Sequence, residues 1–153
     1  MARILFLDSG PLGLILTPPG DNEGDRFRTW LDRIEHAGAW IYVSEIVDYE
    51  IRRELLRLRA SERIRRLNDT KHRLIYLSLS TAVMLRAAKL WAEVRQRGMP
   101  TADDRAIDAD CILAAQVLTA TGIGDVAMIA TTNVRHLARF PGIVAEEWAA
   151  IAP

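Results

Sequence analysis

One cysteine, Cys111, is the only thiol in this 153-residue chain, so no disulfide can close within it and no cysteine cluster can hold zinc. An excess of charge is lacking too. Lys+Arg and Asp+Glu number 20 each, the formal net charge is +0, and no global positive field marks a polynucleotide binder. Local patches can still do that work, and "IRRELLRLRASERIRRLNDTKHR", residues 51–73, is dense in arginine. No apolar run approaches the roughly 20 residues that span a bilayer. The start of the chain lacks the charged, apolar, then small-residue order of a secretory signal, so the cytoplasm is the expected location. His72 and His136 are not paired at metal-ligand spacing, and neither is read as catalytic. No repeat, low-complexity tract or linker divides the chain, and one domain over residues 1–153 is expected.

What is present is an ordinary soluble composition, 50% apolar and 26% charged, long enough for a full core. Short apolar runs alternate with helical patterns. "RILFL" (3–7) predicts a buried strand, and Pro11 suits the first turn of a short helix over 12–16. "TPPGDNEGD" predicts a loop. "RFRTWLDRIEHAG" predicts a helix with Phe27, Trp30, Leu31 and Ile34 inward and Gly38 as its stop. "AWIYV" predicts a second strand, Ser44 a cap, and 45–59 a helix whose core stripe is Val47, Ile51, Leu55 and Leu58. A short helix over 61–68 and a strand in "RLIYLSLS" follow. "AVMLRAAKLWAEVRQRG" is expected as the longest helix, "MPTADDRA" as a loop, "IDADCILAAQVLTATG" as a helix and "VAMIATTN" as a fourth strand, with "IVAEEW" leading into the tail. Trp30 and Trp91 are expected in the core, and Cys111 as a small buried apolar residue. The alternation predicts an α/β fold: a three-layer α/β/α sandwich around a small, mostly parallel sheet.

Such sheets gather ligands at the carboxyl ends of their strands. Asp8 stands at that edge after the first strand and Asn133 after the fourth. Glu50 falls about 60° from Val47 around its helix, on the border of the buried stripe. Asp110 shares a face with Leu113, Ala114 and Val117. Singly, each has an ordinary use. Asp8 can cap a turn, Glu50 can pair with Arg52 or Arg53, Asp108 and Asp110 suit a helix start, and Asn133 suits a turn. The Arg-rich helix can be a solvated face. Jointly, carboxylates at one sheet edge repel one another, and a divalent cation removes the conflict. All-oxygen ligands point to Mg²⁺ or Mn²⁺.

The chain resembles the PIN domains of VapC-like toxins and related prokaryotic proteins. The resemblance runs through "FLDSGPLG", "LDRIEHAG", "VSEIVDYEIRREL", "IDADCILAAQ" and "IATTNVRHL", and so covers nearly the whole length. It implies the same fold and a Mg²⁺- or Mn²⁺-dependent endoribonuclease whose acids are Asp8, Glu50 and Asp110. Asn133, after Thr131, takes the position of the fourth acid in many PIN domains, which removes one negative charge and the firm hold on a second metal. Asp108 is a substitute fourth acid, although about 200° from Asp110 around the helix. Ser9 and Thr131 take supporting places, and Arg52 and Arg53 meet RNA or a partner. The resemblance also implies a toxin of a type II toxin–antitoxin pair, an antitoxin that holds it inactive, and a homodimer through apolar faces from Leu79 to Trp91.

Two rival readings differ in chemistry. A PIN-type module that binds RNA or protein without cutting is favoured by Asn133 and opposed by the intact Asp8, Glu50 and Asp110. A haloacid-dehalogenase-like phosphatase needs a second aspartate two residues after the first, where this chain has Gly10. A receiver-type signalling domain needs an acidic pair near the start and a late lysine, and neither is evident.

Overall fold

The computed structural model describes residues 2–98 and 104–153. The first strand, β1 (Arg3–Leu7), is buried from Ile4 to Leu7 because both sheet faces are covered. Asp8 ends it and caps α1 (Ser9–Ile15), with Pro11 in the first turn, where its missing N–H costs nothing. The helix therefore starts three residues before the expected one. In α2 (Asn22–His36), Asp21 is the cap and Phe27, Trp30, Leu31 and Ile34 are buried as predicted. Gly38 follows at φ 93°.

The second strand, β2 (Trp40–Ser44), runs into α3 (Glu45–Arg57), whose first turn Ser44 caps through Ile46 N. Val47 and Leu55 are buried, but Leu58 lies beyond the helix and is exposed. Next come α4 (Ser61–Arg73), one turn and more longer than expected, and the short β3 (Ile75–Leu77). Ser80 caps α5 (Thr81–Gln96). The longest helix is instead α6 (Asp104–Ala120), at 17 residues against 16 for α5. It takes in residues 104–106 of the expected "MPTADDRA" loop, and residues 99–103 of that loop lie outside the described residues. Then β4 (Val126–Thr131), α7 (Val134–Leu137), β5 (Ala145–Glu147) and a 3-10 turn (Trp148–Ala150) complete the chain.

The five strands lie in the order β3-β2-β1-β4-β5, every pair parallel, so the sheet is wholly rather than mostly parallel. The fifth strand went unread in the sequence because three half-exposed residues, Ala-Glu-Glu, carry no alternation. The order reverses at β1. Right-handed crossovers put the connections toward β3 on one face and those toward β5 on the other, which gives the three-layer sandwich. The switch point, between β1 and β4, opens a crevice at the strands' carboxyl ends. Across that edge α3 packs against α6.

Trp30 is buried, its indole N–H donating to Ile151 O at 2.9 Å, and it meets Phe27 and Trp148 ring to ring. Trp91 is not in the core. It is 38% exposed, with the Arg95 guanidinium over its ring. Among the described residues no helix is long and apolar enough to cross a membrane.

Candidate active site

Asp8 is held from both sides. Its backbone N–H continues the β1–β4 ladder by donating to Ala130 O at 3.0 Å, one step beyond the Leu7–Ala130 pair. The side chain accepts from Ser9 N at 2.8 Å through Oδ1 and from the Thr131 hydroxyl at 2.8 Å through Oδ2. Thr131 is fully buried, and its hydroxyl in turn accepts from Asn133 N at 2.9 Å. The ordinary capping use of Asp8 and its place at the edge are thus the same geometry: the cap fixes one oxygen and β4 the other.

Two further acids lie within its electrostatic reach. Burial is the main cause that pushes Glu50 up to about 7, and the charges of Asp8 and then Asp110 add to it, against a smaller pull from Arg53. Burial likewise pushes Asp110 up to about 6, with Asp8 adding and Arg139 opposing. Both side chains are partly buried, and the charges of Arg53 and Arg139 only partly offset the cost. The packing of α3 against α6 brings their charges to one place.

The other expected residues divide. Asn133 is exposed at the rim and makes no side-chain capping bond to α7. Ser9 is half-buried beside Asp8. Asp108 is exposed and lines an apolar groove between α5 and α6, where its charge acts on the Cys111 thiol rather than on Glu50 or Asp110. Cys111 is buried as expected, and desolvation pushes its thiol up to about 12, an inert group. Arg52 is engaged inside the fold. Its Nε donates to buried Asp48 at 2.9 Å and Nη1 to Asn68 at 2.9 Å, while Tyr76 OH donates to the other Asp48 oxygen at 3.2 Å. Arg53 is outside that network.

Sequence reasoning missed two neighbours of the centre. Arg139 follows α7, its Nε donating to His136 O at 2.7 Å, and its charge reaches Asp110 from a position 29 residues along the chain. Nothing in the local pattern marks it, since only the contact of α7 with α6 brings it near. Thr132 stands over the start of α1: a Cβ on Gly10 would lie 2.6 Å from its Oγ1, so the glycine at "DSG" makes room for the loop after β4.

Among the described residues no three His, Cys, Asp or Glu side chains stand close enough to form a ready metal-holding group. The donor set nevertheless fits a hard divalent cation. It is all oxygen, and the proton affinities of Glu50 and Asp110 are raised by burial and mutual repulsion, the state that a shared cation reverses.

No family model matches the chain, and no curated protein matches it in sequence. Solved structures match it in fold. Over 95% of this chain and 98% of the other, it is similar to the crystal structure of VapBC2 from Rickettsia felis bound to a DNA fragment from its promoter, with a TM-score of 0.71 at 17% identity. FitAcB from Neisseria gonorrhoeae gives a TM-score of 0.69 at 18% identity over 96% and 99% of the two chains. DNA-bound VapBC from Salmonella typhimurium gives 0.65 at 18% identity over 97% and 99%. The fold is that of a VapC-like PIN domain.

Proposed function

We propose that the protein is a metal-dependent endoribonuclease and the toxin of a toxin–antitoxin pair, restrained by a bound antitoxin. The observation that supports the reading is electrostatic: the charges of Asp8 and Asp110 act on Glu50 and that of Asp8 acts on Asp110, with Asp8 itself at the carboxyl end of β1. These three residues would hold Mg²⁺ or Mn²⁺. The chemistry such an ion supplies is an activated water and neutralised charge on the scissile phosphate. Thr131 and the Ser9 amide fix both oxygens of Asp8, so this carboxylate meets its ligand without reorganising. Arg139 brings positive charge to the Asp110 side, where an incoming phosphate would otherwise meet acids alone. Asn133 is a neutral donor and acceptor at the rim.

The toxin role draws on the VapBC complexes that share the fold, and the location it implies is the cytoplasm. The test is incubation of end-labelled single-stranded RNA with purified protein. Cutting within the strand that requires Mn²⁺ or Mg²⁺, stops with chelator and leaves 5′-phosphate ends is the expected result. RNA that stays whole with either metal, while still bound, would turn the reading to a binding module.

A second copy of the chain would dock on α5. That helix exposes Met84, Leu85 and Trp91, and with Ala87, Ala88, Cys111 and Ile112 the first and last of these line a groove of about 380 Å³ against α6. Sedimentation equilibrium is expected to give a dimer that Trp91→Glu converts to monomer. A wild-type protein that stays monomeric at high concentration excludes it.

A further inference from the structure

The arginines of α3 and α4 are mostly spoken for within the molecule. Arg52 is bonded to Asp48 and Asn68, Arg57 to Glu54, Arg65 to Glu62, Arg66 to Leu16 O, and Arg73 to Asp32 and Glu35. Arg53 differs. Arg53 forms no ion pair with a described carboxylate, and its guanidinium instead lies over the ring of Tyr49, 5.2 Å from the centroid. That ring is 57% exposed. The two residues bracket Glu50 on the same helix, Tyr49 one residue before it and Arg53 three after, and the charge of Arg53 reaches the Glu50 carboxylate.

We infer that Tyr49 and Arg53 form a base-stacking platform that receives an unpaired base of the RNA strand beside the phosphate held at Asp8, Glu50 and Asp110. This deepens the ribonuclease reading and rests on it. A single exposed tyrosine needs no explanation. What singles this one out is the flat ring, held by a cation that sits in no ion pair with a described carboxylate, beside an acid of the anionic centre. A strand entering that centre brings phosphates toward carboxylates, and a guanidinium held in no ion pair offsets the repulsion. Its bases, once unstacked, find an aromatic face extended by a guanidinium plane. A duplex keeps its bases stacked on each other and gains nothing from such a surface, so the platform selects single strands.

The experiment uses a short labelled oligoribonucleotide, the same strand built with abasic residues, and binding followed by fluorescence anisotropy in an Asp8→Asn background, so that the RNA stays whole. Adding Tyr49→Ala is expected to weaken binding of the base-bearing strand about tenfold and leave the abasic strand unchanged, while Tyr49→Phe, which keeps the ring, stays within about twofold. Equal affinity of Tyr49→Ala and its parent for the base-bearing strand overturns the inference and leaves this face to a protein partner. So does an equal loss on both strands, or a parent that binds no RNA. Cleavage by the otherwise wild-type protein is followed separately. Cutting with binding indifferent to Tyr49 sinks the platform alone, and base-dependent binding without cutting sinks the ribonuclease reading alone.

Discussion

Asp8→Asn is expected to cleave RNA at less than about one-hundredth of the wild-type rate, because loss of a mere outer-shell partner of a metal ligand already costs about 10- to 100-fold. The substitution preserves shape. The asparagine oxygen still accepts from Ser9 N, and its amide can donate to the Thr131 oxygen, so the connection between β1 and β4 survives with one hydroxyl proton redirected. What disappears is the charge. With it goes one of the charges that raise Glu50 and Asp110, so the variant's two remaining acids are less crowded by negative charge. The protein should therefore fold at least as well as the wild type while losing activity. Circular dichroism and a cleavage time course on the same preparation check both halves. A variant that cuts within tenfold of wild type would remove Asp8 from the chemistry.

Glu50→Gln should stabilise the metal-free protein at pH 8. The folded-state value of Glu50 is raised from 4.5 to about 7, so folding favours the protonated form and the ionised form carries a cost. Below about pH 4 the carboxyl is protonated in both folded and unfolded chains, and the cost is absent. It grows as pH rises through the interval between the two values and is complete above about 7. Glutamine never bears it. Because the side chain is half-exposed, solvent screening reduces the full shift, and a gain of about 1–2 kcal/mol at pH 8 is the expectation, shrinking to nothing near pH 4. Urea unfolding of both proteins at the two pH values, in chelator, measures it. Added Mn²⁺ should then narrow the gap at pH 8, since a cation bound to the folded wild type stabilises it by mass action. Equal stability at pH 8 in chelator would mean that Glu50 is neither desolvated nor confronted by the other acids.

Much of this centre is legible from residue order. β1, β2 and β4 announce themselves as short apolar runs, and each ends in a polar residue at the carboxyl edge, which is how Asp8 and Thr131 come to face one another. Asp110 shows through because it shares a face with residues that must be buried. Glu50 shows only weakly, since local reasoning preferred an ion pair with Arg52 or Arg53. The fold gives Arg52 to Asp48 and sets Arg53 on Tyr49. Asp108 and Asp110 look interchangeable at the start of a helix, yet one faces the groove toward α5 and the other the acids. Two positions along a helix is a large rotation.

By itself, then, the order of residues determined the alternation of strands and helices, caps such as Ser44, and the place of Asp8 at the end of the first strand, since burial period and capping are local properties. The tertiary structure alone decided which charges meet. The influence of Arg139 on Asp110, that of Asp8 on Glu50, and the approach of Thr132 to Gly10 all join segments brought together by the sheet order and the packing of α3 and α7 on α6. Coulomb forces and desolvation depend on distance and burial in space, and no local pattern along the chain encodes either.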